Sequence, residues 1–265
     1  MNKQELRERV WDELEESGQA RFPFPPHGRI PNFAGADDAA DRLADLDAWQ
    51  AADAIKANPD APQLPVRRRA LHEGKTVYMA VPRLRDEKCF VELDPERIDD
   101  LDAAPTVSSM GEYGRQVGPE DVESVDFVVS GSVAVREDGA RIGKGEGYSD
   151  LEYAVLRELG LVDDETPVAT TVHEMQVQVG AERSEGPTDG RTGSDATRET
   201  DWPVDDHDVP MDYLVTPEQT IETETPFDRP TGVDWDELDD ERIEEMPVLA
   251  ARRERSEGRD QVNGE

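Results

Sequence analysis

Three glycines at alternate positions restrict the fold of this chain more than any other feature of its sequence. They lie in the string RIGKGEGYSDLEY, residues 141–153, and share one spacing: Gly143, Gly145 and Gly147. Glycine loses more conformational freedom on folding than any other residue, so such a cluster needs a reason. An apolar run at 125–131 predicts a buried strand before the cluster, and an amphipathic pattern at 148–159 predicts a helix after it. The sequence therefore predicts a glycine-rich loop that leads directly into a helix.

The rest of the first 222 residues alternates strand and helix patterns. Leu6, Val10 and Leu14 form one apolar stripe on a first helix, and a second helical pattern starts at Asp37 and Asp38. Further apolar runs predict the other strands: 76–84, 167–173 and 211–216. Such alternation is typical of an α/β fold, here a three-layer sandwich with a mostly parallel sheet flanked by helices. We expect one domain over residues 1–222.

Two stretches lack the apolar residues that a core requires. Residues 180–205 consist almost entirely of small, polar and charged side chains, which predicts a flexible acidic insertion. Residues 223–265 are acidic and interrupted by prolines, which predicts a largely disordered tail with Trp235 as one docking point.

The chain is strongly acidic, with 63 Asp and Glu against 29 Lys and Arg and a formal net charge of −34. An acidic disordered protein is one explanation, but the apolar runs of the middle region contradict it. The other is adaptation to a halophilic cytoplasm, because molar salt shortens the Debye length to about 3 Å and screens self-repulsion. The charge also disfavours a nucleic-acid partner.

Cysteine content and hydropathy restrict the class further. Cys89 is the only cysteine, so an intramolecular disulfide and a multi-cysteine metal site are both excluded. No apolar run is long enough for a membrane span, and the charged N-terminus is unlike a signal peptide. We expect a soluble, cytoplasmic protein with no membrane partner.

The glycine cluster has two interpretations. A glycine-rich loop before a helix exposes backbone N–H groups to a phosphate, and the helix dipole adds positive charge. Arg141 and Lys144 would then offset the phosphate charge, and Asp150 would hold Mg²⁺, which takes one or two carboxylates plus phosphate oxygens. The alternative is a β-hairpin with a glycine-rich turn and a capping aspartate, and the glycine spacing alone does not exclude it.

The wider segment DFVVSGSVAVREDGARIGKGEGYSDLEYAVL, residues 126–156, resembles a family signature. The 5-formyltetrahydrofolate cyclo-ligase family, also called methenyltetrahydrofolate synthetase, has an apolar strand, a turn and then Arg-Leu-Gly-x-Gly-x-Gly-Tyr-Tyr-Asp. Its first helix carries a Lys, an Arg and a Trp, similar to Lys3, Arg7 and Trp11. The strings HGRIPNF, GSVAV and RIGKGEGYSDLEYA are most similar to the methenyltetrahydrofolate synthetase domain-containing subgroup. The resemblance implies a fold related to the sugar-phosphate isomerase and CoA-transferase scaffold.

The resemblance also implies an activity and a set of site residues. Cyclo-ligases couple ATP hydrolysis to ring closure of 5-formyltetrahydrofolate by phosphorylating the formyl oxygen, and they give methenyltetrahydrofolate, ADP and phosphate. By matching position, Arg141 and Lys144 would be catalytic, and Asp150 and Asp208 would hold Mg²⁺. The nucleotide or folate would be bound by the remaining matched residues: Lys3, Arg7, Gly143, Gly145, Gly147, Tyr148 and Ser149.

The chain departs from the family pattern in ways that leave other functions open. Ser149 replaces the second tyrosine, Leu151 replaces an arginine, and residues 30–65 show no clear match to the folate-binding glutamate. One alternative is therefore a non-catalytic module that binds nucleotide or folate, or associates with RNA. Another is a different enzyme on the same scaffold, acting on a sugar phosphate or a CoA thioester.

Overall fold

The computed structural model describes residues 2–178 and 202–254. Its helices are α1 (Lys3–Glu16), α2 (Ala36–Ala44), α3 (Asp47–Ala51), α4 (Leu64–His72), α5 (Met110–Tyr113), α6 (Tyr148–Glu158) and α7 (Asp240–Glu244). Its strands are β1 (Ala20–Arg21), β2 (Asn32–Phe33), β3 (Ala54–Ala57), β4 (Thr76–Ala80), β5 (Phe90–Leu93), β6 (Arg115–Val117), β7 (Phe127–Val129), β8 (Ala134–Arg136), β9 (Arg141–Ile142), β10 (Val168–Thr171), β11 (Val177–Gln178), β12 (Tyr213–Val215) and β13 (Thr220–Glu222).

Eight of these strands form one central sheet in the order β13-β12-β10-β7-β3-β4-β5-β6. The five inner strands from β12 to β4 are parallel, and the outer strands at both edges are antiparallel. Every residue of β3, β7 and β10 is buried, as expected for parallel strands that are covered on both faces. The predicted α/β class with a mostly parallel, helix-flanked sheet is confirmed.

A small second sheet, β11-β8-β9, leads to the glycine loop. β8 and β9 form an antiparallel hairpin whose turn contains Gly139 at φ +88°. The apolar stripe of α1 packs on this hairpin, with Leu6, Val10 and Leu14 buried against Val133 and Ile142. The hairpin therefore ends before the glycine cluster, which connects β9 to α6 instead of forming the hairpin turn.

Local patterns predicted several elements closely. α6 runs from Tyr148 to Glu158 and ends with Gly160 at φ +68°, a left-handed conformation that favours glycine. The second helical pattern forms two helices, because Leu46 is extended between them. β3 and α4 were not predicted: β3 is only four residues long and contains Lys56, so its apolar pattern is weak.

The prediction of a largely disordered tail differs from the structure for residues 223–254. Ile243, Met246, Val248 and Leu249 are buried in the main core together with residues of the central sheet and α6. This part of the sequence has few apolar side chains among many acidic ones, a pattern that predicts disorder. These apolar side chains nevertheless pack in the core. Residues 255–265 lie outside the described part.

The predicted insertion at 180–205 lies mostly outside the described residues. At its described end, Trp202 is buried, 3% exposed, with its ring stacked by the Arg136 guanidinium at 4.8 Å. Residues 202–205 thus join the packed domain. Within the described ranges, no helix is long and apolar enough to cross a membrane.

Truncation of a buried side chain in the C-terminal segment, residues 230–254, tests whether this segment belongs to the core. Met246 is 1% exposed, so Met246→Ala should lower the free energy of unfolding by about 2–5 kcal/mol. Urea unfolding in potassium chloride measures the loss. Val107→Ala, at a side chain that is 56% exposed, is the control and should change stability by less than about 0.5 kcal/mol. Equal stability of the two variants would contradict the packing of residues 240–250.

Candidate functional site

A cavity of about 220 Å³ opens at the carboxyl ends of the parallel strands. Three strand ends form one side of it: Asn58 and Asp60 follow β3, Arg83 follows β4, and Gly131 follows β7. The glycine loop and the first turn of α6 form the other side. Ligands of open parallel sheets bind outside the carboxyl ends of the strands, so this cavity is the candidate site.

The backbone of the glycine loop leaves its donors unused within the described chain. None of the N–H groups of residues 143–150 donates a hydrogen bond to any acceptor in the two described ranges. Unpaired backbone donors are costly unless they meet water or a ligand, so eight in succession beside a cavity mark an anion-binding position. Seven of these eight residues line the cavity, all except Gly145: Gly143, Lys144, Glu146, Gly147, Tyr148, Ser149 and Asp150.

The conformation of the loop explains two of its glycines. Gly145 has φ +103° and Gly147 has φ +70°, values that other residues adopt only with strain. Gly147 is the N-cap of α6 and provides no side chain to bond the first-turn N–H groups. Those groups, and the positive end of the helix dipole, therefore stay available to a ligand.

A buried ion pair spans the two ends of the loop. Arg141 Nη2 donates to Asp150 Oδ1 at 2.5 Å, and Arg141 Nη1 donates to the carbonyl oxygen of Gly131 at 2.8 Å. Burial alone would lower the pKa of Arg141, but the carboxylates of Asp150, Asp208 and Glu152 together outweigh it and leave the pKa raised. Arg141 Nε is buried and has no hydrogen-bond partner in the described chain, so one N–H remains for a ligand.

Arg7 and Lys144 both lie at the loop but differ in their contacts. Arg7 Nε donates to the carbonyl oxygen of Gly143 at 2.7 Å, so this side chain holds the loop from the α1 side. Lys144 Nζ pairs with Glu146 Oε2 at 2.7 Å and is 35% exposed, an arrangement that an incoming anion can displace.

Tyr148 and Ser149 line the cavity from the first turn of α6. Ser149 Oγ donates to Asn58 Oδ1 at 3.1 Å and is in hydrogen-bond contact with Ser130 Oγ at 3.3 Å, which ties α6 to the ends of β3 and β7. The hydroxyl that replaces the family's second tyrosine therefore has a structural partner in this chain.

Lys3 and Asp208 lie apart from the residues that line the cavity. Lys3 Nζ bonds Asp205 and Asp208 at 2.7 Å each. Burial would lower the pKa of Lys3, yet the two carboxylates together raise it. Asp208 belongs to a partly exposed group with Asp205 and His207, whose ligand atoms lie within 4.8 Å of one another. Asp150 is not in that group. Among the described residues, the two predicted metal ligands Asp150 and Asp208 therefore do not belong to one cluster of three metal-ligating side chains.

Two charged residues that line the cavity, Asp60 and Glu152, were missed by the sequence analysis. Lys56 is fully buried and pairs with Glu152, whose carboxylate also accepts from Asn58 Nδ2 at 3.1 Å. Burial raises the pKa of Glu152, and Lys56 opposes that shift. Burial likewise raises the pKa of Asp60, against the charges of Lys144 and Arg67. A lysine inside β3 followed by an Asn-Pro-Asp turn was the available signal.

Arg83 is a second residue that sequence reasoning missed. It lies at the cavity mouth after β4 with φ +62°, and Leu84 beside it has φ +51°. Left-handed backbone at a non-glycine residue is strained and tends to occur at functional positions. Its exposed guanidinium adds positive charge to the side of the cavity opposite the glycine loop.

The fold and this cavity define an α/β protein with a glycine loop of unpaired N–H groups, among the described residues, at the carboxyl edge of a parallel sheet. The chain belongs to the 5-formyltetrahydrofolate cyclo-ligase family, whose model matches residues 1–181. The resemblance seen in the sequence is thereby confirmed.

Curated relatives match nearly the whole chain. It is 41% identical over 261 residues to a mouse (Mus musculus) methenyltetrahydrofolate synthase domain-containing protein, covering 96% of this chain and 64% of the relative. The human (Homo sapiens) protein of the same name is 37% identical over 260 residues, covering 97% of this chain and 63% of the relative. The chain thus spans less than two thirds of the length of these relatives.

Solved structures of similar shape are more distant. The NMR structure of Aquifex aeolicus 5,10-methenyltetrahydrofolate synthetase has a TM-score of 0.46 and 19% identity, covering 85% of this chain and 95% of that chain. A 5,10-methenyltetrahydrofolate synthetase from Mycoplasma pneumoniae has a TM-score of 0.43 and 13% identity, covering 81% and 98%.

Removal of Lys56 tests the electrostatic environment of Glu152, which lines the cavity. Lys56→Met leaves the Glu152 carboxylate buried without its cation, which should destabilise the fold by about 3–5 kcal/mol near pH 8. Because the folded-state pKa of Glu152 is raised, the penalty grows as pH rises above the ordinary value of 4.5 and shrinks toward acid. Urea unfolding at about pH 5 and about pH 8 measures this difference.

A matched double variant is the control for this measurement. Lys56→Met with Glu152→Gln removes both charges and should recover most of the lost stability at the higher pH. An equal loss for Lys56→Met at both pH values would contradict the pairing of Lys56 with an ionised Glu152.

Proposed function

We infer that this protein is an ATP-dependent cyclo-ligase that converts 5-formyltetrahydrofolate to methenyltetrahydrofolate. The observation that carries this proposal is the row of undonated N–H groups at residues 143–150, beside a cavity at the N-terminus of α6. Phosphate groups bind to such donors and to the helix dipole. Family membership supplies the class of reaction.

The loop would hold the triphosphate by its backbone, and nearby cations would offset the charge. The unpartnered Nε of Arg141 supports a contact to a phosphate oxygen, and Lys144 would exchange Glu146 for the nucleotide. Arg7 adds positive charge from α1 and holds Gly143 in place. Lys3 would contribute only after exchanging Asp205 and Asp208 for the nucleotide. Catalysis of phosphoryl transfer consists mainly of such positioning and charge neutralisation.

The reaction proceeds in two bond exchanges. The bond between the γ-phosphorus and the β,γ-bridging oxygen breaks as the formyl oxygen bonds to the same phosphorus, which releases ADP. The neighbouring folate amine then attacks the formyl carbon and loses its N–H proton to the departing phosphate, which leaves with the former formyl oxygen as the C–O bond breaks. Phosphorylation is needed because the formyl oxygen is otherwise a poor leaving group.

Mg²⁺ fits one side of this site. Asp150 uses Oδ1 for Arg141 and the N–H of Val209, while its Oδ2 accepts no hydrogen bond from the described residues. A single carboxylate oxygen beside phosphate oxygens is a common Mg²⁺ position, and the ion would offset phosphate charge there. Asp208 is engaged by Lys3, so it would contribute to the metal site only after exchanging that partner.

The side of the cavity formed by the strand ends, with Asp60 and Arg83, is the proposed folate position. The carboxyl of Asp60 accepts no hydrogen bond from another residue in the described chain, and it lines the cavity with Asn58. Folates carry ring N–H donors at one end and carboxylates at the other. Asp60 would accept from the ring, and Arg83 at the mouth would meet a carboxylate.

A second candidate is a non-catalytic module of the same family that binds nucleotide or folate, or associates with RNA. The contact of Ser149 with Asn58 favours it, because the side chain at this family-tyrosine position is already engaged inside the protein. Such a module would bind ATP or folate without turnover.

A cyclo-ligase assay separates the two candidates. In about molar KCl with ATP and Mg²⁺, the protein should convert 5-formyltetrahydrofolate to the methenyl form, measured by near-ultraviolet absorbance. Lys144→Ala should reduce kcat/KM by about 10²–10³, because it removes a preorganised positive charge at the phosphates. Lys88→Ala changes an exposed lysine outside the cavity and should leave the rate unchanged. Binding of ATP by calorimetry without any turnover would favour the non-catalytic module.

A further inference from the structure

Arg242, in the C-terminal segment, contacts the glycine loop directly. Its Nη2 donates to the carbonyl oxygen of Glu146, and the same atom lies 3.1 Å from the position that a Cβ on Gly147 would take. The backbone N–H of Arg242 is held by Asp239 at the start of α7, 2.7 Å away. The side chain therefore reaches the loop from a fixed helix, across 96 positions of sequence.

The segment that carries Arg242 is anchored to α6 at the opposite end of that helix. Arg252 donates to Glu158 Oε2 through Nε at 2.9 Å and Nη2 at 2.6 Å. The N–H of Val233 donates to Glu158 Oε1 at 3.1 Å. Between these contacts, Ile243 and Met246 are buried in the main core. The segment thus contacts both Glu158, the last residue of α6, and the glycine loop that precedes α6.

A hydrogen bond to the Glu146 carbonyl also determines the direction of the next N–H. The C=O of Glu146 and the N–H of Gly147 belong to one trans peptide unit, so they point to opposite sides. With the carbonyl held by Arg242, the N–H of Gly147 points away from Arg242. Arg7 acts in the same way at the other end of the loop. Its hydrogen bond to the Gly143 carbonyl determines the direction of the Lys144 N–H.

Two cavities adjoin the loop, and Arg242 lines only one of them. A second cavity of about 120 Å³ is lined by Arg242, Leu238 and His207, and Gly147 and Asp150 line both cavities. Arg242 does not line the larger cavity. An N–H that points away from Arg242 is therefore directed to the side of the larger cavity.

We propose that Arg242 is a positioning residue for the anion-binding loop, and that the C-terminal segment 230–254 is a necessary part of the site. By holding the Glu146 carbonyl, it keeps the Gly147 N–H aimed at the nucleotide phosphates. The segment follows the part of the chain matched by the family model, residues 1–181. The role of Arg242 in nucleotide binding rests on the proposed function, whereas its restraint of the loop backbone does not.

The test compares full-length Arg242→Ala and Arg242→Lys with the unaltered protein. The N–H of Leu151 donates to the Gly147 carbonyl at 3.1 Å, and its amide hydrogen exchange, measured by mass spectrometry, should become about tenfold faster in Arg242→Ala, because loss of a charge-assisted hydrogen bond releases the loop before α6. KM for ATP should rise about tenfold while kcat and the KM for 5-formyltetrahydrofolate change little. Arg242→Lys keeps one donor and should restore part of both quantities. Arg97→Ala removes an arginine paired with Asp94, away from both cavities, and should change neither.

The outcomes separate this proposal from the function it serves. Folded Arg242→Ala with unchanged amide exchange at Leu151 and unchanged KM for ATP would overturn the proposal. Should Arg242→Ala not fold, Arg242→Lys gives the same decision, since lysine cannot reproduce the guanidinium geometry. If the unaltered protein neither binds nor turns over ATP, the proposed function fails, and amide exchange at Leu151 still decides whether Arg242 restrains the loop.

Discussion

The buried pair of Arg141 and Asp150 is the interaction on which the candidate site depends. Arg141 starts β9 and Asp150 lies in the first turn of α6, so their 2.5 Å contact joins the two ends of the glycine loop. Arg141 also bonds the Gly131 carbonyl after β7, which fixes the loop relative to the central sheet. Breaking such a pair would leave one buried charge without its partner, so the geometry of the loop is strongly determined.

The charge distribution makes the loop distinctive in this protein. The chain carries a net charge of −34, yet Arg7, Arg141 and Lys144 converge on one short backbone segment. Each of them contacts either the loop itself or a residue at its end. An anion would therefore meet free N–H donors and these cations, two of them paired with Asp150 and Glu146, in a chain whose net charge otherwise repels it. This contrast favours a selective site over general attraction of anions.

The sequence predicted what local patterns determine. The glycine spacing and the amphipathic run predicted the loop and α6, because the left-handed positions of Gly145 and Gly147 require glycine whatever the rest of the chain does. The contacts that complete the site are not local: Asn58 meets Ser149 across 91 positions, and Arg242 meets Glu146 across 96. The packing of the C-terminal segment was missed for the same reason, since its few apolar residues gain meaning only against the core.

The position of bound phosphate tests the central claim most directly. A crystal structure with a non-hydrolysable ATP analogue should place phosphate oxygens within hydrogen-bond distance of N–H groups in residues 143–150, with α6 pointing its N-terminus at them. The Arg141–Asp150 pair should persist in that complex. An analogue bound elsewhere, with water alone on those N–H groups, would contradict the account.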